Sequence, residues 1–184
     1  EGRPGFSARY WNNVNHEGKV DVETRVMTPF NFCTSGATVF APGVNLTDFS
    51  ATYNATYVPK ASGEVIFDVY SFGKGRLLVN QKEAMSFYNS HGGNKQSYAL
   101  QVEAGKKYDI ELQFEYLQSD AQLNFDMGFK KKVDIAKSVN AVRNADVVVF
   151  VGGISPSLEG EEMGVDLPGF KKGDRTSIEL PEVQ

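Results

Sequence analysis

The sequence has 184 residues, of which 41% are hydrophobic and 23% are charged, a composition typical of a globular protein. This length allows one domain, or one domain and a fragment, and it excludes a complete (β/α)8 barrel, which needs roughly 250 residues. Nineteen Lys and Arg against 23 Asp and Glu give a formal net charge of −4. The chain therefore lacks the positive charge with which proteins bind DNA or RNA, and we expect no nucleic acid as a partner.

Apolar runs, cysteine and histidine exclude further classes. No apolar run reaches the roughly 18 to 20 residues that span a bilayer, so we expect no membrane partner. The single Cys33 excludes an internal disulfide, and with only two histidines in the chain we predict no metal site and no cofactor. Residues 1–5 contain neither an initiator Met nor a signal-peptide core, from which we expect a portion of a longer protein.

Apolar and polar residues alternate over most of the first 130 positions, which is the pattern of antiparallel strands with one buried face. A hairpin-like break is predicted at residues 71–75, a Gly-containing turn at 103–106, and a hairpin through 118–120 that joins the last two strands. The predicted strands, in chain order, are residues 49–58, 65–70, 76–80, 98–102, 108–116 and 121–127.

The pattern changes near residue 131. Ile135, Ala136, Val139 and Val142 recur at helical spacing after Asp134, which is placed as an N-cap, so we predict a helix of about a dozen residues. Residues 146–153 form a continuous β-branched run that ends in two glycines, as in strands buried on both faces of a parallel sheet. We expect this strand to pair with another segment, because about 50 residues cannot cover both of its faces.

An acidic loop follows this predicted strand. Glu159, Glu161 and Glu162 lie within four residues, beyond the carboxyl end of the strand, where open parallel sheets form their sites. A carboxylate there can act as a general acid or base if burial or a neighbouring carboxylate raises its pKa. The alternative is an ordinary solvated acidic loop.

The second part of the chain resembles the α/β sandwich domain of glycoside hydrolase family 3. The resemblance is carried by residues 144–153, the motif Leu158-Glu159-Gly160-Glu161-Glu162, residues 173–176 and residues 180–184. It implies that the loop contributes the catalytic acid/base, which falls best on Glu159, with Glu161 as the alternative and Glu162 as a poorer one. It also implies that the nucleophilic aspartate belongs to a barrel domain outside this sequence.

The first 131 residues resemble the protective-antigen-type, or PA14, β domain, which some family 3 enzymes carry as an insertion. The matching segments are residues 5–12, 49–53, 62–67, 76–80 and 104–108. We therefore predict a mainly β chain, with an antiparallel β-sandwich or barrel-like module over residues 1–131. An incomplete α/β segment of one helix, one parallel-type strand and a loop follows over 132–184.

Aromatic and amide side chains are the candidate sugar contacts, because sugar rings pack on aromatic faces and sugar hydroxyls need hydrogen-bond donors and acceptors. Trp11, Phe87, Tyr88 and His91 are the candidates, together with Asn89, and residues 86–94 are expected to form a mobile loop with two glycines. Packing in the core is the alternative for Trp11, and simple solvation is the alternative for His91. Residues 71–75 contain no acid, so the paired aspartates with which some PA14 domains bind sugar through calcium are missing.

These observations predict a portion of a retaining β-glucosidase or β-xylosidase that hydrolyses terminal β-linked sugars. Retention needs two carboxyl groups about 5 to 5.5 Å apart, and only one of them is expected here, so the isolated chain is predicted to be inactive. Its partners would be carbohydrate and the rest of the parent enzyme, which we expect to be periplasmic or secreted. The alternatives are a free-standing carbohydrate-binding or adhesion module, and a scaffold that only stabilises its parent.

Overall fold

The computed structural model describes residues 3–118, 120–131, 134–152, 169–171, 174–176 and 179. The chain consists of two units, Glu1–Lys132 and Val133–Gln184. Within the described residues, no helix is long and apolar enough to cross a bilayer.

The first unit is an antiparallel sheet of eight strands, with the order β2-β1-β4-β7-β5-β8-β3 and with β6 paired to β5. A short 3₁₀ turn, Ser35–Ala37, follows the third strand. The strands are β1 (Phe6–Trp11), β2 (Val22–Val26), β3 (Phe30–Cys33), β4 (Ser50–Tyr57), β5 (Gly63–Val79), β6 (Lys82–Val102), β7 (Tyr108–Glu115) and β8 (Gln122–Phe129).

The long strand β5 belongs to both halves of a sandwich. Along one edge it pairs with β6, and along the other edge its first half pairs with β8 and its second half with β7. The two halves meet where the register with β6 shifts, between Ser71 and Gly73. Gly73 has φ +150°, and a Cβ there would lie 2.4 Å from the ring of Phe114, so glycine permits the bend at this point.

Aromatic side chains fill the space between the two halves. Phe30 of β3 stacks on Tyr53 of β4 with ring centroids 5.0 Å apart, and Phe6 of β1 meets Phe125 of β8 edge to face at 5.5 Å. Every one of these four side chains is buried. The core faces of the two halves therefore pack against each other.

The mainly β prediction is confirmed, and the turn at 103–106 forms with Gly105 at φ +77° and a hydrogen bond from Lys106 N to Glu103 O of 3.2 Å. The hairpin-like break at 71–75 is wrong, because β5 bends there without losing its partners and turns only at Asn80 and Gln81, both with positive φ. The hairpin through 118–120 is also wrong. The strands on either side, β7 and β8, pair with different halves of β5.

The expected mobile loop at 86–94 is wrong as well. These residues lie in β6, and the ladder with β5 resumes on both sides of residues 90–93, which stand opposite Phe72 alone. The irregularity is thus a local bulge in a paired strand, at the level where β5 bends.

In the second unit, Asp134 caps the helix α1 (Ile135–Val142) as predicted, its side chain accepting a hydrogen bond from Lys137 N at 2.9 Å. The helix has eight residues rather than about twelve. Two short strands, β9 (Phe170–Lys171) and β10 (Asp174–Arg175), pair with each other. The predicted parallel-type strand and its pairing are wrong for this chain: residues 147–151 form no strand and are 55% to 90% exposed, since no described segment offers them a hydrogen-bonding edge.

The bend of β5 gives a first prediction. We expect Gly73→Ala to lower the free energy of unfolding by about 3 kcal/mol, because the new Cβ meets Phe114 and the positive φ disfavours any side chain. Gly128→Ala is the matched control, since a Cβ there would meet no atom within 4 Å, and its effect should stay within about 0.5 kcal/mol. Urea denaturation of both variants measures the difference, and equal effects would contradict the role of Gly73.

Two buried phenols give a second prediction. Tyr10 and Tyr53 are fully buried with ring centroids 5.9 Å apart, and their hydroxyls are close enough to influence each other's pKa. Burial raises the pKa of both phenols above the usual value of 10.0. The fold therefore holds them protonated, and its stability is fully present below pH 10 and falls as the unfolded chain ionises above that pH.

We expect the double variant Tyr10→Phe, Tyr53→Phe to be about as stable as the wild type at pH 7, because replacing two neighbouring buried hydroxyls together by apolar groups of similar shape is nearly neutral. Above pH 10 it should lose less stability, by up to about 1.4 kcal/mol per pH unit for each phenol. Urea denaturation between pH 7 and pH 11 measures both effects. An identical pH dependence of the two proteins would show that these phenols do not resist ionisation.

Candidate functional site

A groove of about 720 Å³ lies on the first unit where β5, β6 and β7 are adjacent, within the range of protein sites for small ligands. Its lining is mostly polar and includes one exposed aromatic ring. The lining residues are Lys74, Gly75, Arg76, Glu83, Ser86, Phe87, Tyr88, Gln96, Gln113 and Glu115.

Strand register brings the polar side chains of this groove together. Lys74 stands opposite Glu115 on β7 and opposite Tyr88 on β6, and Arg76 stands opposite Gln113. Residues that are directly paired across strands point to the same face of a sheet. The alternation that buries Leu112 and Phe114 therefore turns Gln113 and Glu115 outward, beside the basic side chains of β5.

The charges of the groove are paired. Lys74 Nζ lies 2.7 Å from Glu115 Oε2, and Arg76 Nη1 lies 3.8 Å from Glu83 Oε2. Arg76 Nε also donates to Gln113 Oε1 at 2.7 Å, while Gln113 Nε2 donates to the neighbouring Glu111. Two cations face two carboxylates, so the groove presents fixed hydrogen-bonding groups without net charge.

Phe87 and Tyr88 are neighbours in sequence with opposite environments. The ring of Phe87 is 4% exposed, because it packs over Gly75, where a Cβ would lie 2.5 Å from its Cζ atom. Tyr88 points the other way and is 66% exposed. The Phe87 ring belongs to the core, so the prediction that this ring contacts sugar is wrong. Tyr88, in contrast, offers an exposed aromatic face at the groove.

His91 lies in the bulge at 90–93 and does not line the groove. Its Nδ1 atom is 3.2 Å from the Ser90 hydroxyl, and Gln118 Nε2 donates to the Ser90 carbonyl at 2.9 Å. The preceding Asn89 donates to the buried Ser71 hydroxyl at 2.9 Å. These contacts fix the bulge and leave His91 exposed to solvent.

Trp11 lies far from Tyr88. Strand pairing connects the two residues through four steps across the sheet: Trp11 to Ser50, Ser50 to Glu115, Glu115 to Lys74, and Lys74 to Tyr88. Each step is one strand spacing of about 4.8 Å, so Trp11 and Tyr88 are four strand spacings apart. Trp11 is half-buried, with its Nε1 atom 3.4 Å from the Gly18 carbonyl and its ring 5.3 Å from that of His16. The structure therefore does not bring Trp11 into the groove.

The remaining predicted site residues, Glu159 and Glu161, and the poorer candidate Glu162, lie outside the described residues. Among the residues that the structure describes, no group of three or more His, Cys, Asp and Glu side chains is arranged to hold a metal ion. Cys33 is half-buried with a free thiol whose sulfur accepts a hydrogen bond from Ser35 N at 3.4 Å.

Sequence reasoning missed Lys74, Arg76, Gln113 and Glu115 as parts of one site. Alternation already turned Gln113 and Glu115 outward on their strand. The missing information was the pairing of β5 with β7, which joins residues about 40 positions apart and has no local signal.

The PA14 domain model matches residues 2–139, which is most of the chain and includes all eight strands of the first unit. The chain belongs to the PA14 domain family. The PA14 resemblance of the first 131 residues is thereby confirmed.

Two curated relatives are similar to this PA14 chain. It is 39% identical over 186 aligned residues to a xylan 1,4-β-xylosidase of Xylanibacter ruminicola, covering 100% of this chain and 21% of that protein. It is 28% identical over 146 residues to a β-glucosidase of Rhizobium radiobacter, covering 70% of this chain and 17% of that protein. The chain thus spans about a fifth of the length of the curated relatives it matches.

A solved structure shares the fold. The β-glucosidase of Kluyveromyces marxianus in complex with glucose superposes with a TM-score of 0.60 at 17% identity, over 97% of this chain and 21% of that chain. At this identity the likeness concerns the fold alone.

The opposite environments of Phe87 and Tyr88 give a third prediction. We expect Phe87→Ala to lower the free energy of unfolding by about 3 to 4 kcal/mol, as for other buried aromatic rings. Tyr88→Ala should change it by less than about 0.5 kcal/mol, because its ring is exposed. Urea denaturation of the two variants tests the assignment, and a large destabilisation by Tyr88→Ala would place that ring in the core instead.

Proposed function

We propose that the PA14 module binds carbohydrate in the groove and belongs to a retaining family 3 glycoside hydrolase. The identity of 39% over the whole chain to a protein named a xylosidase carries this proposal, because that alignment includes both the module and the segment with the acidic loop. A terminal β-linked xylose or glucose is the substrate class, with xylose favoured by the stronger match.

The groove suits a neutral sugar. Its cations are already paired with carboxylates, so an acidic sugar would meet no free positive charge. Each paired group keeps hydrogen-bonding capacity, since an ammonium has three donors and a carboxylate about four acceptor sites. Sugar hydroxyls can use that capacity while the exposed Tyr88 ring packs on the C–H face of the sugar.

The proposed catalytic chemistry lies in the second unit. Glu159 is the first choice for the acid/base that protonates the leaving-group oxygen, and Glu161 is the alternative. The nucleophile belongs to the barrel domain of the parent enzyme, about 5 to 5.5 Å from the acid/base in a retaining enzyme. The module then forms one wall of the substrate pocket and limits the length of sugar chain admitted.

The fourth prediction tests the acid/base in the parent enzyme. We expect Glu159→Gln to lower kcat about 10²- to 10⁴-fold on an alkyl β-xyloside or β-glucoside, whose leaving group needs a proton. The loss should be much smaller on a 2,4-dinitrophenyl glycoside, whose leaving group departs unprotonated. Steady-state kinetics on both substrates measure this dependence on the leaving group.

Glu161→Gln tests the alternative, and Glu162→Gln is the matched control from the same loop. The same leaving-group dependence in Glu161→Gln would transfer the role to Glu161. Full activity in both the Glu159 and the Glu161 variants, or turnover of an aryl glycoside by the isolated chain, would contradict the proposed division of the active site.

A further inference from the structure

A second cavity, of about 320 Å³, lies on the other half of the sandwich, where β3, β8 and β5 run side by side. The residues that line it include Asn31, Asn124 and Asp126, together with Asp68 and Tyr70 of the first half of β5. None of these residues lines the groove at Tyr88. The cavity is therefore a separate feature, and nothing in the proposed function uses it.

Register places two polar rows at this cavity. Asn31 pairs with Asn124, and Asn124 pairs with Tyr70, so two amides and a phenol form one row. Asp68 pairs with Asp126 in the adjacent row. Since the alternate residues Val69 and Phe125 are buried, these polar rows lie on the outer face of their half.

The ring of Tyr70 is held in place by backbone. A Cβ on Gly93 would lie 2.1 Å from the Cζ and hydroxyl atoms of Tyr70, so the ring covers the glycine of the β6 bulge directly. Its hydroxyl has no hydrogen-bond partner among the described residues. Tyr70 thus offers a half-buried, orientated ring at little cost in side-chain entropy, which favours binding.

The charges of this cavity do not favour a cation. Asp68 is paired with Lys95, whose Nζ atom lies 3.2 Å from Asp68 Oδ2, and it also accepts from the Ser97 hydroxyl. Asp126 accepts a hydrogen bond from Met127 N at 2.8 Å. Besides the apolar Pro29, Phe30 and Phe125, the lining offers two planar amides, two carboxylates that already accept hydrogen bonds, and the Tyr70 ring. Such a combination can bind the C–H faces and the hydroxyls of a neutral sugar.

We propose that this cavity is a second carbohydrate-binding site, formed by Tyr70, Asn31 and Asn124, and that the module is bivalent. The inference goes beyond the groove site. The two cavities share no lining residue, so one sugar chain in the groove and another at Tyr70 do not compete for the same side chains. In a parent enzyme that acts on a polysaccharide, the second site holds a neighbouring chain, and the two contacts together raise the effective affinity for the polymer.

The fifth prediction tests this site by isothermal titration of the 184-residue chain with xylohexaose and, separately, with cellohexaose. We expect two sugar chains per protein for at least one of the two. Tyr88→Ala should remove binding at the groove and leave one bound sugar chain per protein, with the affinity of the second site unchanged. The double variant Asn31→Ala, Asn124→Ala should remove or weaken the second site about tenfold and leave the groove site intact, because these amides lie on the outer face and not in the core.

Asn94→Ala is the matched control, because this exposed asparagine of β6 lines neither cavity and the variant should retain two sites. Urea denaturation of each variant separates lost binding from lost folding. A wild-type stoichiometry of one that Tyr88→Ala abolishes would overturn the second site and support the groove. A stoichiometry of one that only the Asn31, Asn124 variant abolishes would support the second site and overturn the groove. If neither sugar binds, both the groove site and the second site are overturned.

Discussion

The continuity of β5 through its bend is the constraint on which the rest of the structure depends. A strand of 17 residues keeps its ladder with β6 and gives its other edge first to β8 and then to β7. If the chain turned at residues 71–75 instead, β7 and β8 would have no common strand and the two halves of the sandwich would separate. Gly73 permits this continuity, because the ring of Phe114 occupies the place of its missing side chain.

The same bend determines where the two cavities form. It divides the outward residues of β5 into two sets, with Asp68 and Tyr70 on one half and Lys74 and Arg76 on the other. Each set meets a different neighbour strand, and each forms a cavity with it. The ion pairs at both places are exposed, and such pairs contribute only about 0 to 1 kcal/mol to stability. Their side chains are therefore available to a ligand at little cost to the fold, which the aromatic core stabilises.

Local signals predicted most of the fold and little of the site. The alternation of apolar and polar residues predicted the ends of the strands Tyr108–Glu115 and Gln122–Phe129 to within one or two residues. The glycine at position 105 predicted the turn at 103–106. The break at 71–75 was wrong because glycine and lysine mark turns, whereas here the glycines admit the rings of Phe114 and Phe87 inside a strand. Composition pointed to both Tyr88 and Phe87, of which the first ring is exposed and the second buried, since one position in register decides which side of a strand faces the core. The partners of Tyr88 arise from pairing between distant segments, which no single stretch of sequence contains.

The apolar run at 147–151 extends this argument to the second unit. Its β-branched residues predict a strand buried on both faces, whereas Val147, Val149 and Val151 are 77%, 81% and 90% exposed. The pattern describes the surroundings that the residues require, and a strand forms only where a neighbouring edge supplies hydrogen bonds. Consecutive large apolar side chains in water carry a free-energy cost that their burial would remove. The exposure of residues 147–151 therefore means that an apolar β-branched run predicts a strand only together with an edge to which that strand can pair.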